Sequence, residues 1–272
     1  MKRIGVFGPG GGALTVTASL CREPLAAEII HLVDLRCNPY GNRKPEHIFR
    51  LLREALKFLK SEGCDYAVIG CNTTSTQIPR AISELAVELR PRTILGALET
   101  SARGLAQLPP QSTVLILGTR LTVQSRYFQT SLEQSRPDLQ VISLALPQLA
   151  ERIDAGQSEA EIRQYLREEF QALLMDNRVP DIAALCCTHF PFVSNLLTET
   201  LQECYGREIS LLTQSGFILE ELKRHVTIEP GSPRLTVWGT SRNAHFERVV
   251  RAQLGVSRVN VLEDWLSPAE LG

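Results

Sequence analysis

The chain has 272 residues, a formal net charge of −1 and 43% hydrophobic residues. This length is enough for one large α/β domain or two small ones, and the near-neutral charge argues against a basic nucleic-acid binder. No apolar run approaches the roughly 20 residues of a membrane span, and the first residues lack the apolar core of a signal peptide. We therefore expect a cytoplasmic protein with neither a membrane nor a nucleic-acid partner.

Short apolar runs alternate with helical patterns along the chain. The predicted strands are Arg3–Phe7, Ile29–Leu35, Tyr66–Gly70, Thr93–Ala97, Thr113–Leu117, Val141–Ala145, Ile182–Cys186, Ile209–Thr213 and Leu235–Trp238. The predicted helices include Pro45–Glu62, Ile78–Leu89, Thr122–Gln134, Glu159–Asn177 and Asn195–Tyr205. Nearly continuous apolar strands with helices between them predict mostly parallel sheets, whose ligands gather beyond the carboxyl ends of the strands.

Two stretches of the sequence are similar to each other. Tyr66–Ser75 has the sequence "YAVIGCNTTS" and Ala183–Phe190 has the sequence "AALCCTHF". Each is an apolar strand that ends in cysteine and continues into threonine or asparagine-threonine. This similarity predicts two similar α/β domains, 1–97 with 212–272 and 98–211, whose mostly parallel sheets face each other across an active-site cleft.

The glycine-rich opening, "IGVFGPGGGALTV", allows two interpretations. Gly8, Gly10 and Ala13 fit the dinucleotide pattern G-x-G-x-x-G/A, and Asp34 lies about where an acid would bind a ribose hydroxyl. A nicotinamide-dependent dehydrogenase is therefore one candidate. Alternatively, a turn from strand to helix simply needs residues that tolerate positive φ.

The cysteines provide a second line of inference. The chain has 7 of them, an odd number with no C-x-x-C pair, which argues against a disulfide framework and a zinc site. Cys71 and Cys187 each end a predicted strand, where a thiolate could take a proton from carbon and a thiol could return one. His189 lies two residues beyond Cys187 and could assist it. The alternative for each cysteine is a small buried apolar residue, and for His189 a structural hydrogen bond.

Polar residues follow both cysteines. Asn72, Thr73, Thr74 and Thr188 supply donors suited to a carboxylate, although the same residue types also cap helices. The remaining cysteines are expected to be structural thiols. They are Cys21, Cys37, Cys64, Cys186 and Cys204.

These motifs resemble those of the glutamate racemases, members of the cofactor-independent aspartate/glutamate racemase superfamily. The opening resembles that family's "GVFDSGxGGLTV", and Asn38–Ile48 resembles its Pro-Tyr-Gly loop. "VIGCNTTS" is similar to "ACNTAS", "LILGTRLTVQSRYF" to "GTxxTxxSxxY", and "LCCTHFPFV" to "GCTHYPxL". The resemblance runs in order over nearly the whole chain.

The resemblance implies a racemase that inverts the Cα of an amino acid, most simply glutamate, without a cofactor or metal. Cys71 and Cys187 would be the acid/base groups, with His189 assisting Cys187. The expected substrate-binding residues are Gly8, Pro9, Pro39, Tyr40, Gly41, Asn72, Thr73, Thr119, Thr122 and Thr188. The resemblance also implies a small carboxylate or amino-acid substrate, a homodimer, and D-glutamate supply for cell-wall peptidoglycan.

Two departures from the family pattern affect this expectation. Gly8 and Pro9 stand where the family has an acid and a serine, and Gln214–Gly216 replaces an Asp-Ser-Gly. Cys71 thereby loses its expected helper, and a substrate ammonium loses its counter-charge. Another carboxylate could supply that charge, and the candidates are Glu99, Glu151 and Asp34. The alternatives are a superfamily decarboxylase, a maleate-type isomerase, a racemase of a non-amino-acid carboxylate, or a non-catalytic carboxylate binder.

Overall fold

The structure is a computed structural model that describes residues 1–41, 43–175, 178–227, 229–256 and 258–271. The chain divides into two compact units, Met1–Thr100 with Ser215–Gly272, and Ser101–Gln214. Each unit has its own parallel sheet and hydrophobic core. The α/β class and the parallel sheets predicted from the sequence are confirmed.

The regular elements alternate along the chain. The strands are β1 (Lys2–Pro9), β2 (Ala27–Asp34), β3 (Tyr66–Ile69), β4 (Thr93–Gly96), β5 (Thr113–Gly118), β6 (Gln140–Ala145), β7 (Ile182–Cys186), β8 (Ser210–Thr213), β9 (Arg234–Gly239) and β10 (Asn260–Val261). The helices are α1 (Leu14–Arg22), α2 (Pro45–Ser61), α3 (Asn72–Ser75), α4 (Ile78–Glu84), α5 (Ala97–Leu105), α6 (Arg120–Gln124), α7 (Tyr127–Ser135), α8 (Leu149–Asp154), α9 (Glu159–Phe170), α10 (Ser194–Tyr205), α11 (Gln214–His225), α12 (Ala244–Leu254) and α13 (Pro268–Leu271).

The first unit is built on a six-stranded sheet with the order β10-β9-β2-β1-β3-β4. All of its strand pairs are parallel. Phe7 of β1 lies opposite Ile69 of β3, so the segments that follow these two strands emerge side by side. The first and third strands of the chain are therefore neighbours in this sheet.

The second unit has a four-stranded parallel sheet with the order β6-β5-β7-β8. Gly118, at the end of β5, lies opposite Cys186, at the end of β7. Residues that follow these strands therefore share one edge of the sheet. This edge is the place where a parallel sheet presents functional side chains.

Helix α2 shows how the sequence pattern produces the packing. Pro45 occupies its first position, where the missing N–H costs no hydrogen bond. Ile48, Leu52, Leu56 and Leu59 recur at three- to four-residue spacing and are all buried in the core of the first unit. Burial of each such side chain contributes about 1.5–3 kcal/mol, so this face docks α2 on the sheet.

Three predicted helices are shorter than the pattern indicated. The predicted helix Ile78–Leu89 ends as α4 at Glu84 and is followed by a separate 3₁₀ turn, Val87–Leu89. The predicted helix Thr122–Gln134 is divided into α6 and α7 at Arg126, which has a left-handed φ of 53°. The predicted helix Glu159–Asn177 ends as α9 at Phe170 and continues as a 3₁₀ turn, while Asn177 lies outside the described residues. Hydrophobic periodicity cannot reveal a single residue with left-handed φ, nor a change from α to 3₁₀ geometry.

The buried histidine of β2, His31, is expected to make the fold less stable in acid. His31 is fully buried, its Nδ1 is hydrogen-bonded to the Thr17 hydroxyl, and burial lowers the pKa of His31 to about 3. In the unfolded chain the His31 imidazole has an ordinary pKa of about 6.5, so the unfolded state binds the proton first as the pH drops. The free energy of unfolding therefore falls between about pH 6.5 and pH 3, by at most ~1.4 kcal/mol per pH unit.

Urea denaturation between pH 7.5 and pH 4 measures this effect. We expect His31→Asn to flatten the pH dependence of the unfolding free energy, whereas His245→Asn, at an exposed position, leaves it unchanged. Equal slopes for the parent and His31→Asn would contradict the assignment.

Candidate active site

The first unit places the opening loop beside the first strand-end cysteine. Gly8 and Pro9 end β1, and Cys71 directly precedes α3, two residues beyond the end of β3. The Gly70 N–H donates to the Phe7 carbonyl at 2.8 Å, which holds the two strand ends together. Cys71 is partly exposed, so its thiol has access to solvent or a ligand.

Helix α1 packs closely against both strand ends through Ala13. A Cβ added at Gly8 would lie 2.7 Å from the Ala13 Cβ, and one added at Gly70 would lie 2.9 Å from it. Both positions therefore require glycine while residue 13 is alanine. Gly10 has a positive φ of 60°, which accounts for a third glycine by turn geometry alone.

The Pro-Tyr-Gly loop lies at the same edge of the first sheet. Pro39 follows a cis peptide bond and is exposed, as is Gly41, whereas Tyr40 between them is buried. The Tyr40 hydroxyl donates to Asp34 Oδ2 at 2.6 Å. Burial, together with the negative charge of Asp34, raises the pKa of Tyr40 well above its usual value, so it stays a protonated donor. Asn42 of this motif lies outside the described residues.

Asp34 is unsuited to the two roles considered for it from sequence. Its side chain is completely buried and accepts hydrogen bonds from Tyr40 and from the Thr240 hydroxyl. The backbone N–H groups of Arg36 and Cys37 also donate to it. A carboxylate enclosed by four donors is not presented to a ribose or to a substrate ammonium.

The second unit assembles the other cysteine with its expected neighbours. Cys187 follows β7 and is buried, and its Sγ lies 3.9 Å from His189 Nδ1. Thr188 between them is also buried. Thr119 follows the adjacent strand β5, caps α6, and its hydroxyl lies 3.0 Å from that of Thr122. The expected residues of this half therefore occupy one sheet edge.

His189 has an acidic partner that the sequence analysis missed. Its Nε2 lies 3.2 Å from Asp154 Oδ2, at the end of α8. Burial alone would lower the pKa of His189, but Asp154 and the Cys187 sulfur outweigh it and raise that pKa to about 10. The resulting imidazolium is placed to stabilise a thiolate at Cys187. Asp154 lies far before His189 in the chain, at no spacing that signals a pair, so only the fold could reveal this contact.

The two glutamates proposed as counter-charges occupy different places. Glu151 is exposed on α8, three residues before Asp154. Glu99 lies in the first turn of α5, where its carboxylate packs over Gly96 near Ser75. Asp154, one helical turn beyond Glu151, is the acid that lies beside His189.

Burial keeps the remaining cysteines protonated. It raises the pKa of Cys37 to about 11 and that of Cys64 to about 12. It also raises the pKa values of Cys21, Cys186 and Cys204. Protonated thiols are poor nucleophiles and bases, which agrees with structural roles for all five.

The described residues show neither a candidate metal site nor a candidate membrane span. Among the described residues, no group of three or more His, Cys, Asp and Glu side chains could hold a metal ion. The described helices include none that is both long and apolar enough to cross a membrane.

Asp154→Asn is expected to weaken the assistance that His189 gives to Cys187. Because the Asp154 side chain is partly exposed, loss of this ion pair should cost about 1 kcal/mol, which corresponds to a fall of about 0.7 units in the pKa of His189. Titration of the His189 ring by NMR measures this change directly. Glu151→Gln, on the same helix, is the matched control and should leave the titration unchanged. An unaltered His189 titration in Asp154→Asn would contradict the pairing.

Glutamate racemases are among the known proteins that are similar to this chain in sequence and in structure. No protein-family model matches the chain. A glutamate racemase of Aquifex aeolicus is 29% identical over 254 residues, which are 93% of this chain and 94% of the relative. A glutamate racemase from Bacillus anthracis is 24% identical with a TM-score of 0.81, covering 97% of this chain and 98% of that one.

A glutamate racemase from Aquifex pyrophilus superposes with a TM-score of 0.72 at 25% identity, covering 94% of this chain and 98% of that one. The chain therefore has the fold of these racemases. The resemblance to the glutamate racemases that the motifs indicated is confirmed over most of the chain.

Proposed function

We propose that the protein is a cofactor-independent amino-acid racemase, an isomerase whose first candidate substrate is glutamate. The observation that carries this proposal is a cysteine directly beyond a parallel strand in each of the two units, Cys71 and Cys187. The similarity to glutamate racemases over most of the chain supports it.

The chemistry needs only two thiols and no redox step. One cysteine, as the thiolate, takes the proton from Cα and becomes a thiol, leaving a carbanion stabilised by the neighbouring carboxylate. The other cysteine, as a thiol, donates its proton to the opposite side of Cα and becomes a thiolate. On the Cys187 side, the His189 imidazolium supplies the positive charge that favours the thiolate, and the Asp154 carboxylate helps to keep His189 protonated. Inversion requires the two sulfurs to approach the same carbon from opposite sides.

The substrate contacts are part of the proposal. Asn72, Thr73 and Thr188 would hold the α-carboxylate and the amino group. The backbone of the loop residues Pro39, Tyr40 and Gly41 would receive the side-chain carboxylate, with the N–H groups of Tyr40 and Gly41 as donors because proline has none. Gly8, Pro9, Thr119 and Thr122 would line the pocket.

The cellular setting follows from the same proposal. A glutamate racemase would produce D-glutamate for peptidoglycan and the bacterial cell wall, in the cytoplasm where the precursors are made. We propose that it does so as a homodimer, with an amino acid as its small-molecule partner and with neither a metal nor a cofactor.

One observation favours a second candidate, an enzyme of the same superfamily whose substrate lacks an ammonium group. Gly8 and Pro9 bring no charge to the end of β1, and the nearby carboxylate of Asp34 is enclosed by donors. The substrate would then be a malonate, maleate or another non-amino-acid carboxylate.

Incubation with L- and D-glutamate in deuterated water distinguishes these functions. NMR follows deuterium at Cα, and chiral chromatography follows inversion. Exchange with inversion is the expected result. Absence of exchange with both enantiomers, together with turnover of a 2-substituted malonate or of maleate, would establish the second candidate. Glutamate binding without any exchange would indicate a non-catalytic binder and would overturn the proposal.

A further inference from the structure

A fully buried carboxylate lies at the base of the Pro-Tyr-Gly loop. Asp34 Oδ1 accepts from the Arg36 N–H at 3.1 Å, the Cys37 N–H at 3.0 Å and the Thr240 hydroxyl at 2.8 Å. Its Oδ2 accepts from the Tyr40 hydroxyl at 2.6 Å. A buried carboxylate is costly unless its lone pairs are satisfied, and here every donor is part of this loop or of the strand end beside it.

The loop has an alternating exposure pattern centred on Tyr40. Tyr40 is only 2% exposed, whereas its neighbours Pro39 and Gly41 are both exposed. The side chain of Tyr40 therefore anchors the loop from below and leaves the neighbouring backbone at the surface. Its hydroxyl bond to Asp34 is the polar part of that anchor.

The anchor lies close to the candidate catalytic groups. Asp34 of β2 lies opposite Pro9 of β1 in the sheet register. Pro9 ends β1, and the Gly70 N–H, directly before Cys71, donates to the Phe7 carbonyl of that strand at 2.8 Å.

We propose that Asp34 and Tyr40 are a positioning pair that sets the enzyme's specificity for substrates with a side-chain carboxylate. Their buried hydrogen bond holds the backbone around Pro39 and Gly41 in the geometry that receives that carboxylate. Neither side chain touches the substrate. The inference rests on the proposed function, because it assumes that this loop binds the substrate.

Other contacts keep the loop folded when this bond is removed. The Arg36 guanidinium donates to the Trp265 and Glu263 carbonyls, and the Arg43 Nε donates to the Cys37 carbonyl at 2.7 Å. Loss of the Tyr40 hydroxyl should therefore shift the loop locally without unfolding it.

Tyr40→Phe tests the pair, because it removes the hydroxyl and keeps the ring. Thr240→Val is the matched control, because it removes another donor to the same carboxylate from a residue outside the loop. Both variants should lower the unfolding temperature. Only Tyr40→Phe should raise KM for glutamate, by about 10-fold or more, the scale of a lost hydrogen bond to a charged group. Its kcat should stay within about twofold of the parent value, because proton transfer does not pass through Tyr40.

Comparison of substrates separates positioning from a general structural role. Cα exchange of 2-aminobutyrate, which has no side-chain carboxylate, should be the same in Tyr40→Phe and in the parent. Equal losses for glutamate and 2-aminobutyrate, or no loss for glutamate, would overturn the proposal.

Calorimetric binding of glutarate and butyrate gives a readout that does not need catalysis. If the parent turns over no amino acid, the proposed function fails. The positioning role then still predicts weaker glutarate binding in Tyr40→Phe alone, with butyrate binding unaffected. Equal glutarate binding in Tyr40→Phe and the parent, or no glutarate binding by the parent, would overturn it.

Discussion

Replacing either strand-end cysteine by alanine is expected to abolish inversion of glutamate but to leave one-sided proton exchange. With Cys71→Ala, the thiolate at Cys187 still removes a proton from the enantiomer that faces it, and solvent deuterium returns to the same side. With Cys187→Ala, exchange is confined to the opposite enantiomer. Loss of the missing acid or base should lower the inversion rate by at least about 10²–10⁴-fold, the usual contribution of such a group.

The measurement is deuterium incorporation into each enantiomer, followed separately by NMR. Cys186→Ala is the matched control, because Cys186 adjoins Cys187, is also buried, and has a pKa raised by burial. It should cost stability and leave inversion intact. Inversion that survives in Cys71→Ala or Cys187→Ala, or that is lost in a folded Cys186→Ala variant, would show that the wrong cysteines were assigned.

Restoring an acid at the end of β1 should increase activity on glutamate, but only if Ala13 is also changed. The aspartate Cβ in Gly8→Asp would lie 2.7 Å from the Ala13 Cβ, a contact that rigid groups do not tolerate. The double variant Gly8→Asp/Pro9→Ser should therefore be destabilised. The triple variant with Ala13→Gly removes the clash. It also reproduces the glycine that the resembling motif has at this position.

The expected gain of the triple variant is about 10- to 100-fold in kcat/KM for glutamate. This range corresponds to about 1.5–3 kcal/mol for a charge-assisted hydrogen bond to the substrate ammonium. The assay is Cα exchange of glutamate, with Ala13→Gly alone as the control for the change in helix α1. If the parent already racemises glutamate as fast as the triple variant, another group supplies the charge and the prediction is wrong.

The sequence by itself determined the fold class and the local setting of each candidate group. Apolar runs alternating with amphipathic stretches predicted the parallel sheets, because hydrophobic periodicity and turn-forming residues are local features of a sequence. The same local pattern placed Cys71 and Cys187 just beyond strands β3 and β7, as expected. Helix boundaries were less accurate, because one left-handed residue at Arg126 divides a continuous pattern.

Tertiary structure alone decided which distant groups meet. Asp154 reaches His189, and Tyr40 reaches Asp34, through the way helices and loops return to the sheet edges. The close contact between Gly8 and Ala13 depends on the packing of α1 against β1. The sequence gives the ionisable group of each side chain, but the burial and the partners of that group depend on contacts between residues far apart in the chain. For this reason Asp34, which the sequence suggested as an available acid, is a buried carboxylate surrounded by hydrogen-bond donors in the structure.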